Sequence, residues 1–272
     1  MQEKKVMTIQ DFSSFGQCSI SVALPILSTM GNETVALPVA LLSTHTSEFK
    51  DYTLVDLSDN LLKSAEHIKR YNPDFDVIYT GYLGTSATVA QTLEILKLFP
   101  SAKIIVDPAM AESGKLYDGI QNDYVDSVLK LCQESYICLP NFTEACMLAG
   151  KEYTSTPDDD FLRTLCRALF SSGINTFAVT GIDNGDSLCV IVGEQGKIRK
   201  YSTPKITGKY YGAGDVFSSV VAGAIAQGKT VEQAVMLAMD FTGKAVLETS
   251  KDKSHWYGLK FEKFLPLLSK NL

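Results

Sequence analysis

Gly212-Ala213-Gly214-Asp215 is the tetrapeptide around which chemistry can be built. Two glycines flank one small residue, an aspartate follows, and an apolar helical pattern runs on to about residue 226. Glycine permits a tight turn and leaves the backbone amides uncovered. A helix start presents unpaired N–H groups and the positive end of the helix dipole, a fitting place for a phosphate or a developing negative charge. Asp215 would stand in the first turn, where a carboxylate can take the proton of an alcohol while the amides hold a phosphoryl group. That combination suits phosphoryl transfer to a hydroxyl. The same residues would also serve as a plain turn with Asp215 capping a helix, so the rest of the chain must decide.

The elements that must position this loop read as alternating strands and helices. Residues 6–10 are a short apolar strand that breaks in a polar turn at 11–16, and 19–30 form a helix ending near Gly31. Residues 34–42 are strand-like but broken by Pro38, and 43–46 are a polar loop. Helical periodicity covers 57–71 and 85–99, with strands at 76–80 and 103–106. Helices follow at 123–133, at about 141–149 and at 157–172. Strands fall at 136–139 and 177–180, the second stopping at Gly181, and 187–192 with 197–202 form a hairpin. After the Gly212 helix come helices at 230–247 and 261–268. Short, nearly all-apolar strands alternating with helices indicate a mostly parallel sheet buried on both faces. Ligands of such sheets gather beyond the carboxyl ends of the strands. Asp11, Thr46, Tyr82, Asp107, Asn141, Thr180 and the Gly212 loop all fall there. No linker, repeat or low-complexity stretch is evident, so a single domain over 1–272 is expected.

Composition narrows the field. The chain is 45% hydrophobic and carries a net charge of −6 without a basic face, which argues against a nucleic-acid partner. The N-terminus is not a signal peptide and no stretch approaches a membrane span, so a cytoplasmic protein without a membrane partner is expected. Cys18, Cys132, Cys138, Cys146, Cys166 and Cys189 form no C-x-x-C pair and read as reduced, buried thiols. His45, His67 and His255 are too dispersed to suggest a zinc site. Gly223-Ala224-Ile225-Ala226-Gln227-Gly228-Lys229-Thr230 matches the P-loop pattern, but a P-loop must follow a strand and open a helix. Here Gly223 lies inside the helix that began after Gly214. Gly228 reads as that helix's stop, and 230–233 as a capping box for the next.

Five further segments stand in order before the glycine loop. They are Thr8-Ile9-Gln10-Asp11, Ser43-Thr44-His45-Thr46, Thr80-Gly81-Tyr82-Leu83-Gly84, Val106-Asp107-Pro108-Ala109-Met110 with Gly114-Lys115-Leu116-Tyr117, and Pro140-Asn141-Phe142-Thr143-Glu144. With Gly212-Ala213-Gly214-Asp215 they resemble the ribokinase-like superfamily and, within it, the pyridoxal (vitamin B6) kinases. The family's segments read S-I-Q-S, S-N-H-T, T-G-Y, V-D-P-V-M followed by G-x-L-Y, P-N-x-x-E and G-T-G-D. Ala213 replaces the usual threonine, which the backbone amides tolerate. Asp11 replaces a serine, a departure that also looks like hydroxymethylpyrimidine and sugar kinases.

The resemblance implies a ribokinase-like three-layer α/β/α fold with a central mostly parallel sheet and no large separate lid. It implies ATP- and Mg²⁺-dependent phosphorylation of the 5′-hydroxymethyl of pyridoxal, pyridoxine or pyridoxamine. Asp215 would be the base, and the amides of Gly212, Ala213 and Gly214 the anion hole. Glu144 and, through water, Asp107 would organise Mg²⁺, whose preference for hard oxygen ligands they meet. Asn141, Thr180 and Tyr117 would border the nucleotide phosphates, and Val231, Val235, Ala238 and Met239 would wall the adenine. Asp11, Thr46 and Tyr82 would hold the acceptor ring. A homodimer is implied, and an activating monovalent cation is left open. Two rival readings stay open: the same mechanism on hydroxymethylpyrimidine, a sugar or a nucleoside, and a non-catalytic B6-binding protein.

Overall fold

The structure is a computed structural model that describes residues 3–121 and 123–269. In chain order the elements are β1 (Lys4–Phe15), α1 (Ile20–Thr29), β2 (Asn32–Thr44), β3 (Leu54–Asp56), α2 (Ser58–Lys69), β4 (Val77–Thr80) and α3 (Ser86–Leu98). They continue with β5 (Lys103–Val106), β6 (Ala111–Glu112), β7 (Lys115–Leu116), α4 (Asp123–Gln133), β8 (Ile137–Cys138), α5 (Phe142–Leu148) and α6 (Asp159–Ser171). Then follow β9 (Thr176–Asn184), β10 (Ser187–Glu194), β11 (Lys197–Pro204), α7 (Ala213–Ala226), α8 (Val231–Thr249), a 3-10 turn (Glu262–Phe264) and α9 (Leu265–Ser269).

Backbone contacts gather into two compact units. The first holds residues 1–83, 91–103 and 206–272, with strand order β4-β1-β2-β3. β1 pairs in parallel with both β2 and β4, which leaves it buried from Val6 to Asp11. α1 and α7 pack on β1 and on each other, and α8 packs on α7. The core of α7 is small-residue rich, and Gly223 lies in mid-helix with Met30 Sδ only 2.6 Å from where a Cβ would stand. The P-loop pattern is therefore a coincidence of composition. Gly228 takes a left-handed φ of 83° after α7, and Thr230 with Gln233 forms the capping box of α8.

The second unit holds residues 84–90 and 104–205, with strand order β11-β10-β9-β8-β5. β5, β8 and β9 run parallel, while β9, β10 and β11 form an antiparallel meander. The small antiparallel ribbon β6–β7 stands apart from them.

Several boundaries differ from the sequence reading. β1 does not break at Asp11 but runs on to Phe15, because the polar residues there find partners: Ser13 is buried and donates to Asp11 Oδ2 at 3.0 Å. Pro38 does not interrupt β2. It pairs with Gln10 where the register shifts by one residue before Phe12 meets Leu41, a bulge that tolerates the missing N–H. Ser43 and Thr44 belong to β2, not to a loop. β9 passes through Gly181, whose φ of 71° only glycine adopts easily. The exposed edge strand β3 and the two-residue strands β6 and β7 are too short to leave a periodic signal.

Candidate functional site

In the first unit the glycine loop is built as its sequence suggests. Gly212 is the N-cap of α7 with φ 76° and ψ 2°, a left-handed conformation. A Cβ there would stand 1.9 Å from the Gln17 carbonyl oxygen, so both backbone angle and space demand glycine. The amides of the first turn of α7 lie outside the helix's own ladder. Ala213 N–H donates to the Tyr210 carbonyl at 3.3 Å, a long bond that a better acceptor would compete with. Gly214 is exposed with nothing within 4 Å of its missing Cβ, and Asp215 is half-buried behind it.

Two residues ahead of α1 join this loop to β1. Cys18 Sγ lies 3.5 Å from where a Cβ on Gly212 would stand, and burial, then the charges of Asp215 and Asp11, raise its thiol well above the ordinary value. Asp11 is only 5% exposed, its Oδ2 accepts from the Ser13 hydroxyl at 3.0 Å, and Ser19 lies near it. Burial raises its carboxyl above the ordinary value, and the two serines pull it back. Tyr82, two residues past β4, is half-buried. Burial and then the Asp11 charge push its phenol up. Gly81 beside it has no room for a side chain, since a Cβ would sit 2.3 Å from Gln10 Oε1. Asp11, Tyr82, Cys18 and Asp215 thus belong to one cluster. Thr46 is exposed and, among the described residues, makes no hydrogen bond with Asp11 or Tyr82.

An aromatic group supports the loop from outside. His45 is buried, its Nδ1 accepts from Ser47 N–H at 3.2 Å, and its Nε2 therefore carries the proton given to the Tyr257 carbonyl at 3.1 Å. Burial lowers its pKa, so the ring is neutral there. It packs against Phe49 and Tyr211 at ring distances of 4.8 and 5.5 Å. Glu48 binds Lys209 at 3.0 Å and Tyr211, tying the segment after β2 to the residues that lead into Gly212.

The second unit holds the remaining candidates. Asn141 is the N-cap of α5, and its Oδ1 accepts from Glu144 N–H at 3.0 Å. Glu144 is buried: Oε2 accepts from Asn141 N–H at 2.8 Å, while Oε1 accepts from Met110 and Ala111 N–H at 2.9 and 3.3 Å. Asn141 Nδ2 donates to the Ala111 carbonyl at 2.7 Å. Asn141 and Glu144 therefore fasten the segment after Asp107 to α5. Asp107 follows β5 directly, and its Oδ1 accepts from Ala109 N–H at 3.2 Å. Burial, then the nearby Asp107 charge, raises the Glu144 carboxyl to about 8 against three opposing backbone hydrogen bonds. Asp107 and Glu144 are neighbouring carboxyl groups whose hard oxygens are of the kind a divalent ion with oxygen preference takes, though among the described residues no group of three or more such side chains comes together. Thr180 pairs with Asn141 across an isolated parallel bridge, its N–H on the Pro140 carbonyl at 2.9 Å. Tyr117 is 36% exposed just past β7, its N–H on the Met110 carbonyl. Val231, Val235 and Ala238 are fully buried in the packing of α8, and Met239 alone of that row is half-buried.

Sequence reasoning passed over Cys18 and Ser19. Cys18 is half-buried, unlike the other five cysteines, which are buried. A thiol directly before the residue that opens the first helix was the available signal.

A helix-terminal glycine loop with a first-turn aspartate, on an alternating α/β chain, defines a phosphotransferase of the three-layer α/β, ribokinase-like class. The phosphomethylpyrimidine kinase family matches residues 27–258, and the chain belongs to that kinase family. It is similar to the pyridoxal kinase of Lactobacillus plantarum, 30% identical with a TM-score of 0.92 over 99% of this chain and 98% of that one. It is equally similar to a phosphomethylpyrimidine kinase candidate from Bacteroides thetaiotaomicron crystallised with pyridoxal, at 30% identity and a TM-score of 0.91 over 98% and 96%. The chloroplastic thiamine biosynthetic bifunctional enzyme TH1 of Arabidopsis thaliana is 30% identical over 69% of this chain and 38% of its own length. The chain spans less than half the length of that enzyme and of the other bifunctional thiamine-biosynthesis relatives it matches. Among the described residues no helix is long and apolar enough to cross a membrane.

Proposed function

We propose that this protein transfers the γ-phosphoryl group of ATP to the 5′-hydroxymethyl of pyridoxal, pyridoxine or pyridoxamine. The observation that carries the reading is Gly212 in the left-handed conformation at the start of α7, with Asp215 in the first turn and Asp11 and Tyr82 in the same cluster. Asp215 takes the proton of the acceptor hydroxyl as the oxygen attacks. The amides from Gly212 to Gly214, at the positive end of α7, hold the negative charge that spreads over the transferring group. Asp11 and Tyr82 orient the acceptor ring, with Thr46 beside them. Asn141, Thr180 and Tyr117 border the nucleotide. Asp107 and Glu144 would hold Mg²⁺, which when bound neutralises phosphate charge. We carry a homodimer forward as part of the same reading.

A second acceptor is favoured by one specific residue. Asp11 is a buried carboxyl suited to a ring amine or protonated ring nitrogen, as hydroxymethylpyrimidine would offer. The test is ADP release with Mg·ATP over pyridoxal, pyridoxine, pyridoxamine, hydroxymethylpyrimidine, ribose and adenosine. Turnover on the B6 vitamers supports the proposal; turnover confined to another alcohol keeps the mechanism and replaces the acceptor. Asp215→Asn should lower kcat by roughly 10²–10⁴-fold with nucleotide binding intact. Near-normal turnover in that variant refutes its role as base.

A further inference from the structure

Asp11 is a carboxyl group buried without a cation. It is 5% exposed, and among the described residues no lysine, arginine or histidine pairs with it. A buried carboxylate is ordinarily paired or bound to something. What holds Asp11 is neutral. Ser13 is wholly buried, and its Oγ donates to Asp11 Oδ2 at 3.0 Å. Asp11 and Ser13 alternate with Phe12 along β1, so their side chains leave the same face of the strand. Asp11 stands where the register against β2 shifts, between Gln10 opposite Pro38 and Phe12 opposite Leu41. Such irregularities re-aim a side chain. Ser13 is back in register opposite Leu42, which fixes the backbone that carries its hydroxyl. Gln10 is engaged elsewhere, its Nε2 donating to Thr8 Oγ1 at 2.8 Å.

We propose that Ser13 is a positioning residue for acceptor recognition: it holds the Asp11 carboxylate in the orientation that meets an N–H on the acceptor's ring nitrogen. The inference rests on the reading of Asp11 as an acceptor-binding residue. The substrate class it selects is a hydroxymethyl group on a nitrogen heterocycle that presents an N–H or a protonated nitrogen. The surroundings favour that choice. The ionisable groups that feel the Asp11 charge are Tyr82 after β4 and Cys18 ahead of α1, and neither brings a positive charge. The positive partner is therefore left to the ligand. A ring C–H in the same place would cover the carboxylate and give nothing back for its lost water. Ser13 suits its task because its single donor is fixed by burial, where water does not compete for the bond.

The test is the kcat/KM of pyridoxine against its carbocyclic counterpart, in which C–H replaces the ring nitrogen, with Mg·ATP. If hydroxymethylpyrimidine is the acceptor turned over, it is compared with its own counterpart lacking the ring nitrogens. Wild type should favour the heterocycle by about tenfold or more. Ser13→Ala should raise KM for the heterocycle and cut that preference several-fold, with KM for ATP unmoved. Ser13→Thr keeps a hydroxyl and should restore the preference. A merely structural loss would raise KM for both acceptors alike and leave their ratio in place; urea midpoints show which variants are folded. Wild type that uses both acceptors equally well overturns the proposal, whether or not Ser13→Ala folds. So does an unchanged preference in folded Ser13→Ala. If Asp11→Asn leaves the preference and the acceptor KM untouched, the reading of Asp11 falls and takes the proposal with it. If Asp11→Asn abolishes the preference and Ser13→Ala does not, only the role of Ser13 falls. Absence of turnover on either heterocycle refutes the proposed function itself, and this inference with it.

Discussion

Glu144→Gln tests how the second unit is held together. The carboxylate accepts three backbone N–H groups, from Asn141, Met110 and Ala111, on two oxygens. Glutamine can offer one oxygen to Met110 and Ala111, but its amide nitrogen then faces the Asn141 N–H, donor against donor. A protonated glutamate avoids this, because its hydroxyl oxygen still accepts. The orphaned buried N–H should cost about 1–3 kcal/mol at pH 5. Raising the pH acts on the wild type alone. The Glu144 carboxyl is raised from 4.5 to about 8 in the folded chain, so the folded state holds its proton more tightly than the unfolded one. A group raised in this way contributes stability that is full below pH 4.5 and lost as the pH climbs through about 8. That loss is on the order of a few kcal/mol and is absent in the glutamine variant. Urea unfolding without divalent ions should therefore show Glu144→Gln less stable at pH 5, with the gap closing or reversing by pH 8.5. Two curves that stay parallel between pH 5 and 8.5 would refute the argument.

Two other substitutions probe the first unit. Gly212→Ala places a methyl 1.9 Å from the Gln17 carbonyl oxygen, on a backbone whose left-handed angle alone costs an alanine about 1–2 kcal/mol. Its urea midpoint should fall and turnover should be lost; an unchanged midpoint would show that the loop has room the geometry denies. Asp11→Asn should raise KM for the acceptor by roughly tenfold or more while KM for ATP stays put, since a charged hydrogen bond contributes about 1.5–3 kcal/mol. Equal effects on both substrates would remove Asp11 from acceptor recognition.

Much of this architecture could be read from residue order. The helix at 123–133 and the strand at 103–106 coincide with the observed elements, because acidic first turns and apolar runs bounded by polar residues mark their ends locally. The capping boxes at Asn141 and Thr230 are likewise local, three residues closing on themselves. What stayed hidden depends on distant partners. Polar residues at 11–14 looked like a turn, yet β1 stays paired with β2 there, Phe12 with Leu41 and Ser13 with Leu42. Glu144 looked like a simple carboxylate, but its three N–H partners come from two segments that only the fold brings together. Cys18 looked like an ordinary core thiol. It packs against Gly212, which lies almost two hundred residues further along the sequence.

The segment around Gly16 and Gln17 has a consequence for how the protein comes into being on the ribosome. Gly16 is pressed by His45 and the Tyr257 carbonyl, Gln17 by Gly212 and Gly258. Three stretches far apart in the sequence must therefore close on one turn. β1 and β2 can pair as soon as both have emerged, but the turn at 16–17 that meets the Gly212 loop lacks its remaining contacts until residues 257 and 258 arrive. A growing chain would carry β1 paired with β2 well before the Gly212 loop has its surroundings. The Gly212 loop would be completed only once residues 257 and 258 have joined residues 16 and 17, far from them in the sequence.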